Sequence, residues 1–251
     1  MTTCVLFFHS HLLVMEFETT FQKNWLTRHP RHNGGLATLA IVVFLLAAGL
    51  AFHFDLLGLS HFMPAGASYS EIWRPWTAIF AHADAEHLLG NLVLFIPFSY
   101  LLVGYFGYAF FPLGGLFIGG LINIVTTFYL PAGVSVIGAS GVVYWMGSAW
   151  ITLAYFIDRR ESRSLRFLKA AGVSMLLFLP STYRAEVSYS THFVGFTSGI
   201  VSASGYYFIN REKFLSAEET IRRVTYYPVW EGVEFEPLPA PLHPSIPLVE
   251  G

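Results

Sequence analysis

Ser140 lies in Gly138-Ala139-Ser140-Gly141, where the residues on either side are too small to cover its hydroxyl. A serine becomes a nucleophile when a base stands within hydrogen-bond reach of that hydroxyl. His192 is such a base, opening the run His192-Phe193-Val194-Gly195-Phe196-Thr197-Ser198-Gly199. Positions 192, 195 and 199 share one helical face, which puts the imidazole at the head of a glycine groove that admits a second helix closely. Ser140, Tyr144 and Gly147 make a comparable face, and packing the two together predicts a Ser140–His192 pair. His87 and Asn91, four residues apart, project from one face of a third helix, and both can donate hydrogen bonds to a tetrahedral oxyanion. Each residue also has a plainer use: serines in spans bond back to the preceding turn, asparagines glue helices, and a histidine can sit at an interface or cap a helix.

The elements that hold these groups are membrane spans. The chain of 251 residues is 54% hydrophobic and 12% charged, with a mean hydropathy of +0.54, against about 25% charged residues in a soluble domain. Between Leu88 and Ile157 there is no Asp, Glu, Lys, Arg or His. At about 20 residues per span, that stretch holds three helices, with Pro112-Leu113-Gly114-Gly115 and Pro131-Ala132-Gly133 as punctuation. The pattern predicts six spans: Leu36–Leu57, His87–Val103, Tyr108–Leu130, Val136–Ile157, Leu165–Tyr183 and Val187–Asn210. Arg166 and Lys169 in the fifth would snorkel to the interface. Between the first two spans, Gly58–Glu86 carries Tyr69, Trp73 and Trp76, residues of the headgroup layer, which predicts a first loop partly embedded in the membrane.

Lys and Arg fix the orientation. Lys23, Arg28 and Arg31 precede the first span; Arg159, Arg160, Arg163, Arg166 and Lys169 lie around the fourth-to-fifth connection; Arg211, Lys213, Arg222 and Arg223 follow the sixth. Six spans put all three clusters on one side, the cytoplasm by the positive-inside rule, so both termini are expected there, with the plasma membrane as the expected location. His82, His87, Asn91, Ser140 and His192 then share one depth just below the outer face, which points to a common cavity.

In order along the chain, Trp73-Arg74, His82, His87-Leu88-Leu89-Gly90-Asn91, Gly138-Ala139-Ser140-Gly141-Val142-Val143-Tyr144 and His192 with Gly195 and Gly199 resemble the rhomboid intramembrane serine proteases. The resemblance covers roughly residues 73–199. It implies an all-α membrane protein, a rhomboid-like bundle of six transmembrane helices with a membrane-embedded first loop. It also implies a Ser–His dyad without a carboxylate, lying beneath a water-filled cavity. By position, Ser140 would attack, His192 would take its proton, and His87, Asn91 and the Ser140 N–H would hold the oxyanion. Tyr144 would pack on His192, His82 and Gly138 would support the oxyanion region, and Gly141, Gly147, Gly195 and Gly199 would let helices close. Substrates would be transmembrane proteins, with no cofactor or metal. Family members often carry a glutamate near the end of the second span, about where Val103 stands, so a hydrogen bond to the first loop is expected to be missing here. The small residues of Ala65–Tyr69 leave that loop's rigidity open.

Other classes remain to be weighed. An inactive rhomboid-like scaffold that binds membrane clients would usually have lost the serine or the histidine. A metalloenzyme using His82, His87 and His192 lacks a matching motif, since His82-Ala83-Asp84-Ala85-Glu86-His87 misses H-x-x-E-H by one residue. A transporter would need charged pairs within the spans. The net charge of −2 gives no reason to expect nucleic acid, and the single cysteine, Cys4, excludes an intrachain disulfide. Residues 1–35 read as a cytoplasmic segment with no signal-peptide pattern, translation from Met15 being an alternative. Residues 36–210 form the catalytic core, and residues 211–251, with the run from Glu236 to Pro244, a proline-rich tail without fixed structure. Oligomeric state is not legible.

Overall fold

In a computed structural model, the structure describes residues 2–9, 12–54, 56, 63–64, 71–130, 135–178 and 189–229. In chain order these form β1 (Thr2–His9), β2 (Leu12–Lys23), a 3₁₀ turn (Trp25–Thr27), α1 (Gly34–His53), β3 (Met63–Pro64) and α2 (Arg74–Thr77). There follow α3 (Ala85–Phe106), a π-helical turn (Ala109–Gly114) running into α4 (Gly115–Thr127), β4 (Ser135–Val136), α5 (Ser140–Ile157), α6 (Arg163–Phe178), α7 (Tyr189–Ile209), α8 (Arg211–Leu215) and β5 (Glu219–Val229). The chain divides into two compact units, Met1–Gln22 with Thr220–Gly251, and Lys23–Glu219.

The helical unit holds the candidate site residues. Its helices start where the sequence supplies acceptors for orphan N–H groups. Asn33 caps α1, its side chain accepting from the Leu36 N–H at 3.0 Å, and Asp84 caps α3, accepting from the His87 N–H at 2.7 Å. The cap of α3 is therefore Asp84 and not His87, which leaves the imidazole free for other work. At the far end of α3, Gly107 takes φ 85° and packs against the His32 ring. A residue with a Cβ would be strained there.

α5 is the centre of the unit. Trp145, Met146, Ala149, Leu153 and Ile157 are all buried, enclosed by α3, α4, α6 and α7. Buried polar groups are paired in ways that join helices: the Thr38 hydroxyl of α1 donates to Ser99 of α3 at 3.0 Å. The outward faces are apolar instead, with Leu39, Val43 and Leu50 on α1, Val93 and Ile96 on α3, and Phe117 and Leu121 on α4 exposed. Such a surface suits lipid and would be costly in water. Among the described residues, four stretches are long and apolar enough to cross a membrane: Gly34–His53, Ala85–Phe106, Ala109–Thr127 and Ser140–Ile157. The protein is thus a mostly helical integral membrane protein. Helices also occupy the expected fifth and sixth positions, but α6 has Arg163, Arg166 and Lys169 in its first two turns and α7 is rich in Gly, Ser, Thr and Tyr, so neither meets the same measure of length and hydropathy.

The expectation of an all-α protein needs correction at the termini. β1 and β2 pair antiparallel from Thr2 opposite Thr19 to His9 opposite Leu12, and β5 joins β2 to complete a sheet ordered β1-β2-β5. Phe, Val, Leu and Thr dominate β1 and recur in β2, a composition that fits a pleated sheet. The tail expectation fails between residues 211 and 229, where α8 and β5 are regular structure. Its remainder, including the Glu236–Pro244 run, lies outside the described residues. So do Ala65–Tyr69, the Pro131-Ala132-Gly133 turn and the fifth-to-sixth connection over 179–188.

Candidate active site

The site begins with a turn. Gly138 takes φ 98°, a backbone that glycine adopts readily and side-chain-bearing residues do not. A Cβ there would stand 2.8 Å from His87 Cε1, so the same glycine lets the imidazole lie directly against the chain. The turn is held from outside. Gly138 N–H donates to the Ala78 carbonyl at 2.9 Å, and Ala139 N–H donates to His82 Nε2 at 3.3 Å. The other ring nitrogen, Nδ1, lies 3.3 Å from the Phe80 carbonyl. An acceptor at Nε2 and a donor at Nδ1 require the neutral imidazole. Burial pushes His82 down to about 4, with the adjacent His87 adding to the shift, which keeps it in that form at neutral pH. The His82 and His87 rings meet edge to face, centroids 5.2 Å apart.

Ser140 is the first residue of α5, with Ala139 as N-cap. The helix thus starts about one turn later than the Val136 start that the span pattern predicts. The first helical bond runs from Val143 N–H to Ala139 O, so the amides of Ser140, Gly141 and Val142 belong to the N-terminal set that a helix leaves without intrahelical acceptors. They sit at the positive end of the helix dipole, beside a half-buried serine.

α7 packs against α5 through its glycines. A Cβ on Gly195 would strike the Gly141 carbonyl, one on Gly199 the Ser148 hydroxyl and Trp145 carbonyl, and one on Gly141 would stand 2.9 Å from Thr191 Cγ2. The α5 side of this contact is therefore Gly141, Trp145 and Ser148, spaced four and three apart. Gly147 does not belong to it: its missing Cβ faces Phe178 of α6 and Phe98 of α3. Residue 147 is rotated about 100° from residue 148 at 3.6 residues per turn, which is why the expected seam was one residue off. Trp145 adds a hydrogen bond from Nε1 to the Ser202 hydroxyl of α7 at 2.9 Å, a cross-link that residue spacing does not reveal.

This packing lays His192 flat on Tyr144, with centroids 3.9 Å apart and planes 15° from parallel. Tyr144 stands one helical turn beyond Ser140, and its ring also meets that of Phe178 at 4.5 Å. On α3, Asn91 is buried one turn past His87. Its Nδ2 has no hydrogen-bond partner among the described residues. Leaving a buried donor unmatched costs about 1–3 kcal/mol, and a donor kept free at that cost is one available to something else. The structure thus gathers His82, His87 and Gly138 into one cluster beside Ser140, with Tyr144 and His192 in a second.

A family model described as the rhomboid domain matches residues 69–209, more than half of the chain. The chain belongs to the rhomboid family. No curated protein matches it. In this rhomboid the first-loop segment before His82 is tied down by a residue that the sequence reading missed. Asn123 of α4 donates from Nδ2 to the Pro75 carbonyl at 2.6 Å, next to Gly119 and Gly120, whose bare backbone admits Ile79 and Trp76. Val103, where a glutamate was looked for, is fully buried among apolar residues, and Asn123 supplies a polar tie to the loop from a different helix. Arg74 of the Trp73-Arg74 pair forms an ion pair with Glu71.

Proposed function

We propose that this rhomboid is an active serine endopeptidase that cleaves transmembrane-segment substrates near the outer face of the bilayer through Ser140 and His192. The observation that carries the reading is the His192–Tyr144 stack. It brings the only histidine of α7 onto α5 within a turn of the serine that opens that helix. In the reaction, Ser140 Oγ adds to the scissile carbonyl carbon while His192 accepts the hydroxyl proton. Negative charge on the carbonyl oxygen is met by the Ser140 N–H, the Asn91 Nδ2 and the His87 ring. Collapse of the tetrahedral adduct expels the amine, which takes the proton from His192. Water, deprotonated by the same imidazole, then releases the acyl group and restores the serine.

The wider frame is part of the proposal. α6 and α7 are taken as the fifth and sixth spans, since Phe167, Leu168, Met175 and Leu176 of α6 and Phe193, Val201 and Phe208 of α7 are exposed apolar residues of the kind that α1, α3 and α4 present. Six crossings put the three Lys and Arg clusters, and both termini, in the cytoplasm. α3, α5 and α7 then all begin at the outer face, with the core over residues 36–210, a first loop partly sunk in the membrane, and the plasma membrane as location.

Cleavage of a single-span substrate in liposomes, wild type against Ser140→Ala, tests the reading. Cutting by wild type alone supports it. If neither cuts and Ser140 takes no fluorophosphonate label, the rhomboid is a non-catalytic scaffold for membrane clients, the alternative that shares this fold.

A further inference from the structure

At the end of α5 remote from Ser140, a cavity of about 470 Å³ opens between α5 and α6. Its walls are apolar along the helices, with Trp150, Ile151 and Ala154 on one side and Ala170 and Val173 on the other. Its mouth is ionic. Three cations, Arg160, Arg166 and Lys169, face two carboxylates, Asp158 and Glu161, so one positive charge is left over.

That charge can be located. Arg160 grips Asp158 with two hydrogen bonds, at 2.7 and 2.6 Å, which hold the Asp158 carboxyl below its ordinary range. Lys169 pairs with Glu161 at 2.6 Å. Arg166 has no carboxylate among the described residues. Its Nη1 donates to the Tyr155 carbonyl at 2.6 Å, its guanidinium lies 5.2 Å from the Tyr155 ring centroid, and its Nε is buried without a partner.

An uncompensated guanidinium at the mouth of an apolar cleft, at a span end, matches one kind of molecule. We propose that this cleft binds an anionic phospholipid of the leaflet opposite the Ser140 side, its phosphate on Arg166 with Lys169 beside it and an acyl chain along Trp150, Ala154 and Val173. The guanidinium fork suits phosphate oxygens, and basic pockets between spans are known recognition sites for acidic headgroups. A zwitterionic lipid would bring its own cation to a mouth that already has one in excess. The inference rests on α5 crossing the bilayer and is independent of whether the Ser140 side is catalytic.

The test is native mass spectrometry of the full chain released from detergent containing equal amounts of phosphatidylglycerol and phosphatidylcholine. Retention of phosphatidylglycerol in preference, weakened about fivefold by Arg166→Gln, supports the site. Arg163→Gln, a change outside the cleft, should leave retention unchanged, and Lys169→Gln should weaken it if Arg166→Gln yields no folded protein. Equal retention of the two lipids overturns the proposal, as does an equal loss in Arg163→Gln. Displacement of the lipid by inorganic phosphate alone would also overturn it, since the cleft would then hold an anion and not a lipid.

Discussion

The His192 ring lies parallel to that of Tyr144 at 3.9 Å, and this contact fixes where the imidazole can point. An aromatic pair of this kind is worth about 0.5–1.5 kcal/mol beyond burial, and the ring, not the hydroxyl, provides it. Tyr144→Phe should therefore keep kcat within about threefold of wild type, whereas Tyr144→Ala should lower it about tenfold. Comparing the two kcat values in one detergent checks this. Equal damage by both would assign the effect to the hydroxyl, which donates to the Phe178 carbonyl at 3.5 Å.

The proposed nucleophile and base should act as one unit, and losses from such residues do not add. Ser140→Ala and His192→Ala should each remove cleavage while leaving the thermal unfolding profile in place. The double variant should be no slower than either single one. A measurable rate in His192→Ala would mean that another group takes the proton.

The family and the helices were legible because the motifs recur in order along a chain of long apolar runs. Asn91 and Ser140 lie in the uncharged stretch Leu88–Ile157, with His82 and His87 just before it and His192 further along, and helices stand at all six expected positions. The helix faces were less legible. Gly147 and Ser148 differ by one position and both are small, so spacing alone could not say which faced α7, and the structure assigns Ser148. The Asn123 tie to Pro75 was missed because its acceptor is a backbone carbonyl 48 residues away, and carbonyls leave no trace in composition. The terminal sheet was missed for another reason. β5 lies at the opposite end of the chain from β1 and β2, so no local pattern shows the pairing that completes the sheet.

Asn91 holds a buried, unmatched Nδ2, so its role in stability and its role in turnover should separate. Asn91→Leu, of similar size, should slow turnover by about 10²-fold, the usual cost of losing one oxyanion donor, if Asn91 has the proposed role, and should not lower the unfolding temperature. Kinetics and a thermal melt on the same preparation are sufficient. A variant that is both slower and less stable would make Asn91 a packing residue.

His82 predicts a pH dependence. Its folded value, about 4, lies below the 6.5 expected of an unfolded histidine. Between these limits the unfolded chain binds more protons, so stability rises with pH. The contribution is complete above pH 6.5, fades as pH falls through that window and amounts to about 3 kcal/mol. Gln in place of His82 can still accept from the Ala139 N–H but does not titrate. His82→Gln should therefore lose less stability than wild type between pH 6.5 and 4. Parallel acid dependence in both proteins would place the titration elsewhere.

α7 contains its own control for the packing argument. Gly199 abuts the Trp145 carbonyl and the Ser148 hydroxyl so closely that no Cβ fits, while a Cβ at Gly205, less than two turns further along, meets nothing within 4 Å. Alanine is otherwise the better helix former by about 1 kcal/mol. Gly205→Ala should be neutral or stabilising. Gly199→Ala must push α7 off α5 and should cost about 1–3 kcal/mol, the usual range for overpacking, and Gly199→Val more. Because the same displacement would carry His192 away from the start of α5, cleavage should fall with stability in the Gly199 series and not in the Gly205 variant. Unfolding temperatures and cleavage rates of the three proteins test this, and a stable, active Gly199→Val would show that the two helices do not need to meet so closely.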